Sequence, residues 1–110
     1  MKFIDVNQMK CESVSHDIDI KKKVILKNGL IPHLTNFSQS LLKPLQTTTV
    51  HKHKDMYEVF YVLSGIGSIV VNGEEFSIQK GSCIAVFPGE SHSIMNNGNM
   101  DLVLNYFGLV

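Results

Sequence analysis

The feature that most restricts the fold is an Asn-Gly pair placed between two runs of strand-forming residues. The block SIVVNGEEFSI, residues 68–78, has this pair at its centre. Asn-Gly readily adopts the left-handed turn conformations that join two antiparallel strands through a two-residue loop. The block therefore predicts a β-hairpin in which Val71 pairs with Glu74. In that register Ile69 lies opposite Phe76 on one face.

Similar turn signals divide the remaining sequence into short strand-like runs, and no run has convincing helical periodicity. A second Asn-Gly pair separates residues 24–26 from residues 30–31 and predicts another hairpin. Further strands are predicted at residues 37–43, 47–53, 58–63, 82–87 and 101–107. This spacing is typical of an all-β sandwich or barrel. The chain has 110 residues and no internal repeat or linker, so we expect one domain spanning residues 1–110.

Two of the five histidines, His51 and His53, are separated by one residue within the predicted strand 47–53. Side chains two residues apart share one face of a strand and lie about 7 Å from each other, so both imidazoles reach one cation. Thr47 and Thr49 lie on the same face. A His-x-His pair alone is also common by chance at protein surfaces, so the spacing leaves both interpretations open.

Glu58 begins the predicted strand 58–63, whose alternation places its carboxylate on the same side as Phe60 and Val62. No Lys or Arg occurs between residues 55 and 79 to pair with it locally. A carboxylate that faces an apolar interior is costly unless it is paired or bound to a metal. Metal coordination would remove that cost.

A third imidazole is available at His92, which follows a Pro-Gly turn after the predicted strand 82–87. A histidine in such a position is otherwise a common turn residue. Three histidines and one glutamate form a nitrogen and oxygen ligand set that suits one divalent transition metal: Fe, Mn, Ni, Zn, Co or Cu. Coordination positions would remain for water or substrate.

These residues carry a resemblance to the cupin family. The first cupin motif is glycine, five residues, His-x-His, three or four residues, Glu, six residues and glycine; it is matched by His51, His53, Glu58 and Gly65. The second motif is glycine, five residues, Pro-x-Gly, two residues, His, three residues and Asn; it is matched by Gly81, Gly89, His92 and Asn96. Leu45 stands where the first glycine is expected, and Phe87 stands where the proline is expected. Both departures concern turns.

The resemblance to small single-domain cupins implies a double-stranded β-helix, or jelly-roll, barrel with a motif core at residues 45–96. The metal ligands that it implies are His51, His53, Glu58 and His92. The N-terminal strands, within residues 1–44, are expected to pack on the barrel or on a partner. Glu58 is the first candidate for a catalytic residue, and Tyr106 is a further one.

The strand 58–63 is also apolar on its outward face, which carries Val59, Tyr61 and Leu63. A strand that is apolar on both faces must be covered twice. Either the N-terminal segment or a second protomer would provide the outer cover. The resemblance to small cupins, which commonly pair, favours a homodimer.

Charge and hydropathy argue against nucleic-acid and membrane partners. The formal net charge is zero, and the run Lys21–Lys23 has no interleaved aromatic residues, so it predicts a solvated surface without a function. The N-terminus lacks the pattern of a secretory signal, and the longest uncharged run, residues 59–73, is too short to span a bilayer. Two cysteines without an export signal are expected to stay reduced, which indicates a cytoplasmic location.

Several residues near the motifs are expected to have structural roles only. Cys83 is predicted to be a small buried hydrophobic residue, and Asn96 to bond to the backbone in a turn. His16 and His33 lie outside both motifs and are expected to be ordinary histidines.

The leading functional hypothesis is a metal-dependent enzyme of the dioxygenase, isomerase or lyase type that acts on a small organic molecule. The expected pocket lining is mainly apolar, with Phe60 and Val62 and then Ile69 and Phe76. The alternatives are a binding or sensor module that holds a metal or small ligand without turnover, and a metal-free barrel used for interaction.

Overall fold

The computed structural model describes residues 1–14 and 17–110. The described residues form nine strands, with these bounds: β1 Glu12–Val14, β2 Asp17–Leu26, β3 Leu34–Leu42, β4 Tyr57–Ser64, β5 Ile66–Val71, β6 Glu74–Gln79, β7 Cys83–Val86, β8 His92–Met95 and β9 Leu102–Leu109. Their helical structure is limited to one 3-10 turn, Val6–Gln8. None of their helices has the length and apolar character needed to cross a membrane.

The strands form two antiparallel sheets that enclose a hydrophobic core, and the fold is the predicted all-β, double-stranded β-helix (jelly-roll) barrel of the cupins. One sheet has six strands in the order β1-β2-β3-β9-β4-β7, and the other has three in the order β6-β5-β8. The core is closed by side chains from both sheets, namely Ile20, Leu42, Phe60, Val62, Val86, Leu102 and Leu104 from the first and Ile69, Ile78 and Ile94 from the second.

The hairpin predicted from residues 68–78 is confirmed in its register. Val71 pairs with Glu74, and Ile69 pairs with Phe76, across β5 and β6. The turn works because both of its residues adopt positive φ, 50° at Asn72 and 80° at Gly73.

The hairpin predicted at the other Asn-Gly pair, residues 28–29, is wrong in its details. β2 and β3 do pair in an antiparallel manner, but residues 27–33 connect them, and Leu30 and Ile31 lie exposed in this loop instead of starting a strand. Two successive turns, closed by Leu30 N–H to Lys27 O and by Leu34 N–H to Ile31 O, consume the residues that a tight hairpin would have paired.

The strand predicted at residues 47–53 is also wrong, because the segment forms only isolated bridges. Thr47 pairs with Met95, and His51 pairs with His92. Between these bridges a side chain replaces a main-chain partner: the Thr49 amide donates to the Asp17 carboxylate. The segment stays extended, but a regular ladder does not form.

The other predicted strands, at residues 37–43, 58–63, 82–87 and 101–107, correspond to β3, β4, β7 and β9. β1 and β8 were not predicted. Both are short and lack a clear alternation of apolar residues, and β8 carries a histidine and a serine in four positions.

The N-terminal strands extend the six-stranded sheet at its edge and do not cover the outer face of β4. β1 pairs with β2, and β2 pairs with β3. β9 lies between β3 and β4 in the strand order, so β1 and β2 are remote from β4. Tyr61 on the outer face of β4 is therefore 47% exposed. The inner face of β4 follows the predicted alternation, since Glu58, Phe60 and Val62 are all buried.

Leu45 replaces the first glycine of the cupin motif but keeps the backbone conformation that the turn requires. It stands at the glycine position and adopts φ 72°, a left-handed conformation that glycine reaches without strain. Its side chain is 88% exposed, and its amide donates to the Asn96 carbonyl, 2.9 Å away. The backbone of the motif is thus retained with a leucine in place.

At the motif residue Gly65, unlike at Leu45, both the backbone conformation and the lack of space exclude a side chain. Replacing Gly65 by alanine tests this requirement. Gly65 has φ 89°, and a Cβ there would clash with the Asp101 carbonyl oxygen and lie 2.9 Å from Leu102 Cα. We expect Gly65→Ala to lower the free energy of unfolding by about 2–4 kcal/mol, from left-handed strain plus overpacking. Gly73→Ala is the matched control, because φ is 80° there and nothing lies within 4 Å of its Cβ. Urea unfolding that shows equal losses for the two variants would contradict this account.

Candidate metal centre

His51 and His92 are held together by their own backbones. Each amide donates to the other's carbonyl, at 3.1 Å from His51 N to His92 O and 2.9 Å from His92 N to His51 O. Residues paired in this way project their side chains to the same side, and the two imidazole centroids lie 4.4 Å apart. The antiparallel bridge thus brings together histidines from the two cupin motifs.

Second partners orient both of these rings. His51 Nδ1 lies 2.8 Å from the Thr49 carbonyl oxygen, and His92 Nδ1 lies 3.2 Å from the Glu90 carbonyl oxygen. A carbonyl oxygen only accepts hydrogen bonds, so each Nδ1 carries the proton and donates it. Nε2 of each ring is thereby left to face the cluster, which is the arrangement usual for metal-binding histidines.

Glu58 and His53 complete the cluster. Glu58 Oε1 lies 3.0 Å from His92 Nε2 and 3.1 Å from His53 Nε2. The His92 contact is a hydrogen bond, whereas the His53 contact lacks hydrogen-bond geometry, and His53 Nε2 is a buried nitrogen with no hydrogen-bond partner among the described residues. An unpartnered buried nitrogen is costly in the metal-free protein, and a metal ion would satisfy it.

The four predicted ligands lie close enough together to share one ion. One candidate donor atom from each of His51, His53, Glu58 and His92 lies within 4.8 Å of the others. Four donors, three of them histidine nitrogens and one a carboxylate oxygen, suit the predicted divalent transition metal. The metal would also give the unpartnered His53 Nε2 a partner. Ligation of a metal by these residues stays a prediction.

The cluster perturbs its own titratable groups. Burial alone would raise the pKa of Glu58, but the His92 hydrogen bond and the neighbouring imidazoles outweigh it and hold that pKa below its usual value. Burial lowers the pKa of His51. Burial acts in the same direction on His92, but the bonds to Glu58 and to the Glu90 carbonyl raise the pKa of His92 above its usual value. Glu58 is therefore held as an anion, the form that binds a cation.

The cluster opens into a cavity of about 180 Å³ inside the barrel. Much of the wall is apolar, formed by Ile20, Leu42, Phe60, Ile94 and Leu104. Typical pockets for drug-sized ligands measure about 300–1,000 Å³, so this cavity suits a small molecule.

Polar residues on strands that carry no candidate metal ligand form another part of the cavity wall. It includes Lys22 on β2, Asn36 and Ser40 on β3, and Tyr106 on β9. Tyr106 lies directly opposite Ser38 on β3, and burial raises the pKa of its phenol above the usual value, which keeps it neutral. Its ring stacks on Phe60 at 5.6 Å between centroids.

The structure corrects the interpretation of the lysine run as a solvated surface. Lys21, Lys22 and Lys23 lie in β2, where alternate side chains point to opposite faces, so Lys22 reaches the cavity wall. The alternation of Ile20, Lys22 and Val24 was the available signal, but three consecutive lysines concealed it.

Asp17 was also not anticipated as a site residue. Its carboxylate accepts hydrogen bonds from the Thr49 hydroxyl at 2.8 Å and from the Thr49 amide, and so fixes the segment that presents His51. The contact joins residues far apart in the chain, and no local pattern in the sequence indicates it.

The predicted pocket lining is confirmed only in part, and the predicted burial of Cys83 is wrong. Phe60 lines the cavity, whereas Val62 and Ile69 belong to the core and Phe76 is 47% exposed. Cys83 is exposed, which contradicts the prediction that it is buried, because it lies on the outward side of the edge strand β7.

The residues expected to have only structural roles lie away from the cluster or hold the backbone. Asn96 is fully buried and donates to the carbonyls of Leu42 and Met100, as its expected backbone-bonding role requires. His33 is exposed, with Nδ1 at 3.1 Å from the Val110 carbonyl oxygen. His16 lies outside the described residues.

A jelly-roll barrel with three histidines and a glutamate at its interior defines a cupin, and the chain belongs to the cupin domain family. The family model Cupin_2 matches residues 39–107. An uncharacterized protein from Methanocaldococcus jannaschii is 38% identical over 103 residues, which cover 93% of this chain and 82% of that protein.

One sequence match and one structure match come from Thermotoga maritima. An oxalate-binding protein is 39% identical over 66 residues, and the match spans 60% of this chain and only 54% of that protein. The crystal structure of a predicted oxalate decarboxylase superimposes with a TM-score of 0.92 at 25% identity and covers 99% of both chains.

Replacing His51 by alanine tests the cluster. Three protein ligands would remain and one would be lost from a buried site, so we expect His51→Ala to lower the bound metal from near one equivalent to a small fraction of it. His33→Ala is the control, because His33 is exposed and distant from the cluster in sequence. Elemental analysis of both proteins after gel filtration measures the difference, and a full equivalent of metal in His51→Ala would contradict the assignment.

Proposed function

We propose that residues 1–110 act as one cupin domain that holds a divalent transition metal through His51, His53, Glu58 and His92 and binds a small carboxylate beside it. The observation that carries the proposal is the meeting of four donor atoms at one end of a small cavity. A divalent ion in this position supplies Lewis-acid coordination sites for ligand oxygens.

Oxalate is the first ligand that we propose. The Thermotoga sequence and structure matches support it by their descriptions, an oxalate-binding protein and a predicted oxalate decarboxylase. The cavity supports it by volume, since about 180 Å³ accommodates few atoms besides a metal ion and its water. The apolar wall excludes competing water, which strengthens the attraction between a metal centre and an anion.

Among dioxygenase, isomerase and lyase reactions, we propose a lyase reaction as the first to test. In the decarboxylation of hydrogen oxalate, one C–C bond breaks, carbon dioxide leaves, and the proton is retained in a new C–H bond of formate. Tyr106 supports this choice because a neutral phenol in the cavity wall is a group able to hold and pass a proton. The alternative is a module that binds the ligand without turnover.

Oxalate titration of the metal-loaded protein tests binding and turnover together. We expect one oxalate per metal by calorimetry, and at least about tenfold weaker binding of neutral oxamide, which has the same shape but no charge. Metal content measured after titration guards against removal of the ion by free oxalate. Binding without formate would identify a binding module, and the absence of oxalate binding by fully loaded protein would contradict the proposal.

We also propose a homodimer formed through the outer face of β4. Val59, Tyr61 and Leu63 project from this face, and no described N-terminal strand covers it. Covering such apolar surface is a common cause of self-association. Sedimentation of the wild-type protein as a monomer at micromolar concentration would exclude the dimer.

A further inference from the structure

Lys22 is a cation on the inner face of the barrel. It alternates along β2 with Ile20, which is only 2% exposed, and its cross-strand neighbour on β3 is the buried Ser40. The side chain itself is half-buried and forms part of the cavity wall. A lysine in such a position loses part of its hydration.

Within the part of the chain that the structure describes, the ammonium group of Lys22 has no partner that compensates for this loss. Lys21 Nζ donates to Ser13 Oγ at 3.2 Å, and Lys23 Nζ donates to the Val6 carbonyl at 3.0 Å. Across the described ranges, 1–14 and 17–110, Lys22 has neither a side-chain hydrogen bond nor an ion pair, even though Glu12 is its cross-strand neighbour on β1. Charges that lose hydration are stabilised by pairing, so the Lys22 ammonium is available to bind an anion from outside the chain.

The carboxylates that line the cavity are already engaged. Asp17 accepts from Thr49, and Glu58 contacts His53 and His92. With a divalent ion in the cluster and Lys22 in the wall, positive charges outnumber these two carboxylates. The cavity is therefore complementary to an anion.

A second polar group lies on the same strands as Lys22. Tyr106 is the direct cross-strand neighbour of Ser38, and Lys22 is the direct cross-strand neighbour of Ser40, two residues further along the same strand β3. The ring centroid of Phe60 lies 5.6 Å from that of Tyr106 and 5.9 Å from that of His92, so this apolar side chain neighbours both the polar group and the candidate metal centre. The cavity thus has two polar regions, one at the histidines and one at Lys22 and Tyr106.

We propose that Lys22 and Tyr106 form a second subsite, which binds the ligand oxygens that face away from the metal centre and selects short dicarboxylates over monocarboxylates. This inference rests on the proposed function, because the first carboxylate is bound at the metal centre. The ammonium of Lys22 supplies the counter-charge, and the phenol of Tyr106 supplies a neutral hydrogen-bond donor. The small cavity limits the distance between the two carboxylates.

Comparison of oxalate with glycolate tests the second subsite. Both ligands chelate a metal through two oxygens, but glycolate lacks the second carboxylate. In metal-loaded Lys22→Met, which keeps a long unbranched side chain without the charge, we expect oxalate affinity to fall about 10- to 100-fold and glycolate affinity to change less than about threefold. Tyr106→Phe removes only the hydroxyl. It should lower the ratio of oxalate affinity to glycolate affinity by several-fold, in the same direction as Lys22→Met.

Lys21→Met is the matched control, because Lys21 lies on the opposite face of β2 and is exposed. It should leave both affinities at the wild-type level. Calorimetric titrations are paired with elemental analysis of the same samples, so that a loss of metal is not mistaken for a loss of the subsite.

The outcomes separate the two proposals. Wild-type protein that holds metal but binds neither ligand would overturn the proposed function and this inference with it. Wild-type protein that binds oxalate, together with a Lys22→Met variant whose ratio of oxalate to glycolate affinity is unchanged, would overturn the second subsite alone. Selective loss of oxalate affinity in Lys22→Met, with metal content unchanged, would establish it.

Discussion

The buried carboxylate of Glu58 is the constraint on which the structure of the site depends. β4 is the second strand from one edge of the six-stranded sheet, and its pairing with β7 and β9 fixes Glu58 opposite Val86 and Gly108. In this register the carboxylate faces the barrel interior together with Phe60, where an unpaired anion would be expensive. Its contacts with His53 and His92 offset that cost in the metal-free protein, and the same contacts gather the donors around one point.

The histidines reach that point by different structural means. His92 is placed by a regular strand, β8, whereas His51 and His53 lie in a segment without a continuous ladder. The bridge between His51 and His92 and the Asp17 carboxylate on Thr49 replace the ladder. The N-terminal part of the chain thus contributes to the site in two ways, since β2 provides both the Asp17 contact and the Lys22 side chain of the cavity wall.

Local signals in the sequence predicted the hairpin at residues 72–73 and the inward face of β4, because short-range turn chemistry and alternation determine these features. The jelly-roll barrel was predicted from the resemblance of the two motifs to those of the cupins. The spacing of the two motifs predicted which four residues would come together. The interrupted ladder at residues 47–53 could not be predicted, since it depends on a contact between Asp17 and Thr49, which are 32 positions apart. Lys22 was missed for a related reason: its role depends on which face of β2 meets the core, and a run of three lysines does not reveal that face.

If the cluster is a metal centre, one metal ion replaces the contacts between Glu58 and the imidazoles. An anomalous difference map from crystals of the protein soaked in cobalt(II), an ion that accepts nitrogen and oxygen ligands, tests this replacement. We expect one dominant peak, about 2.0–2.2 Å from a nitrogen of each of His51, His53 and His92 and from a carboxylate oxygen of Glu58. A dominant peak elsewhere, or an intact hydrogen bond between His92 and Glu58 with no peak beside it, would contradict the claim.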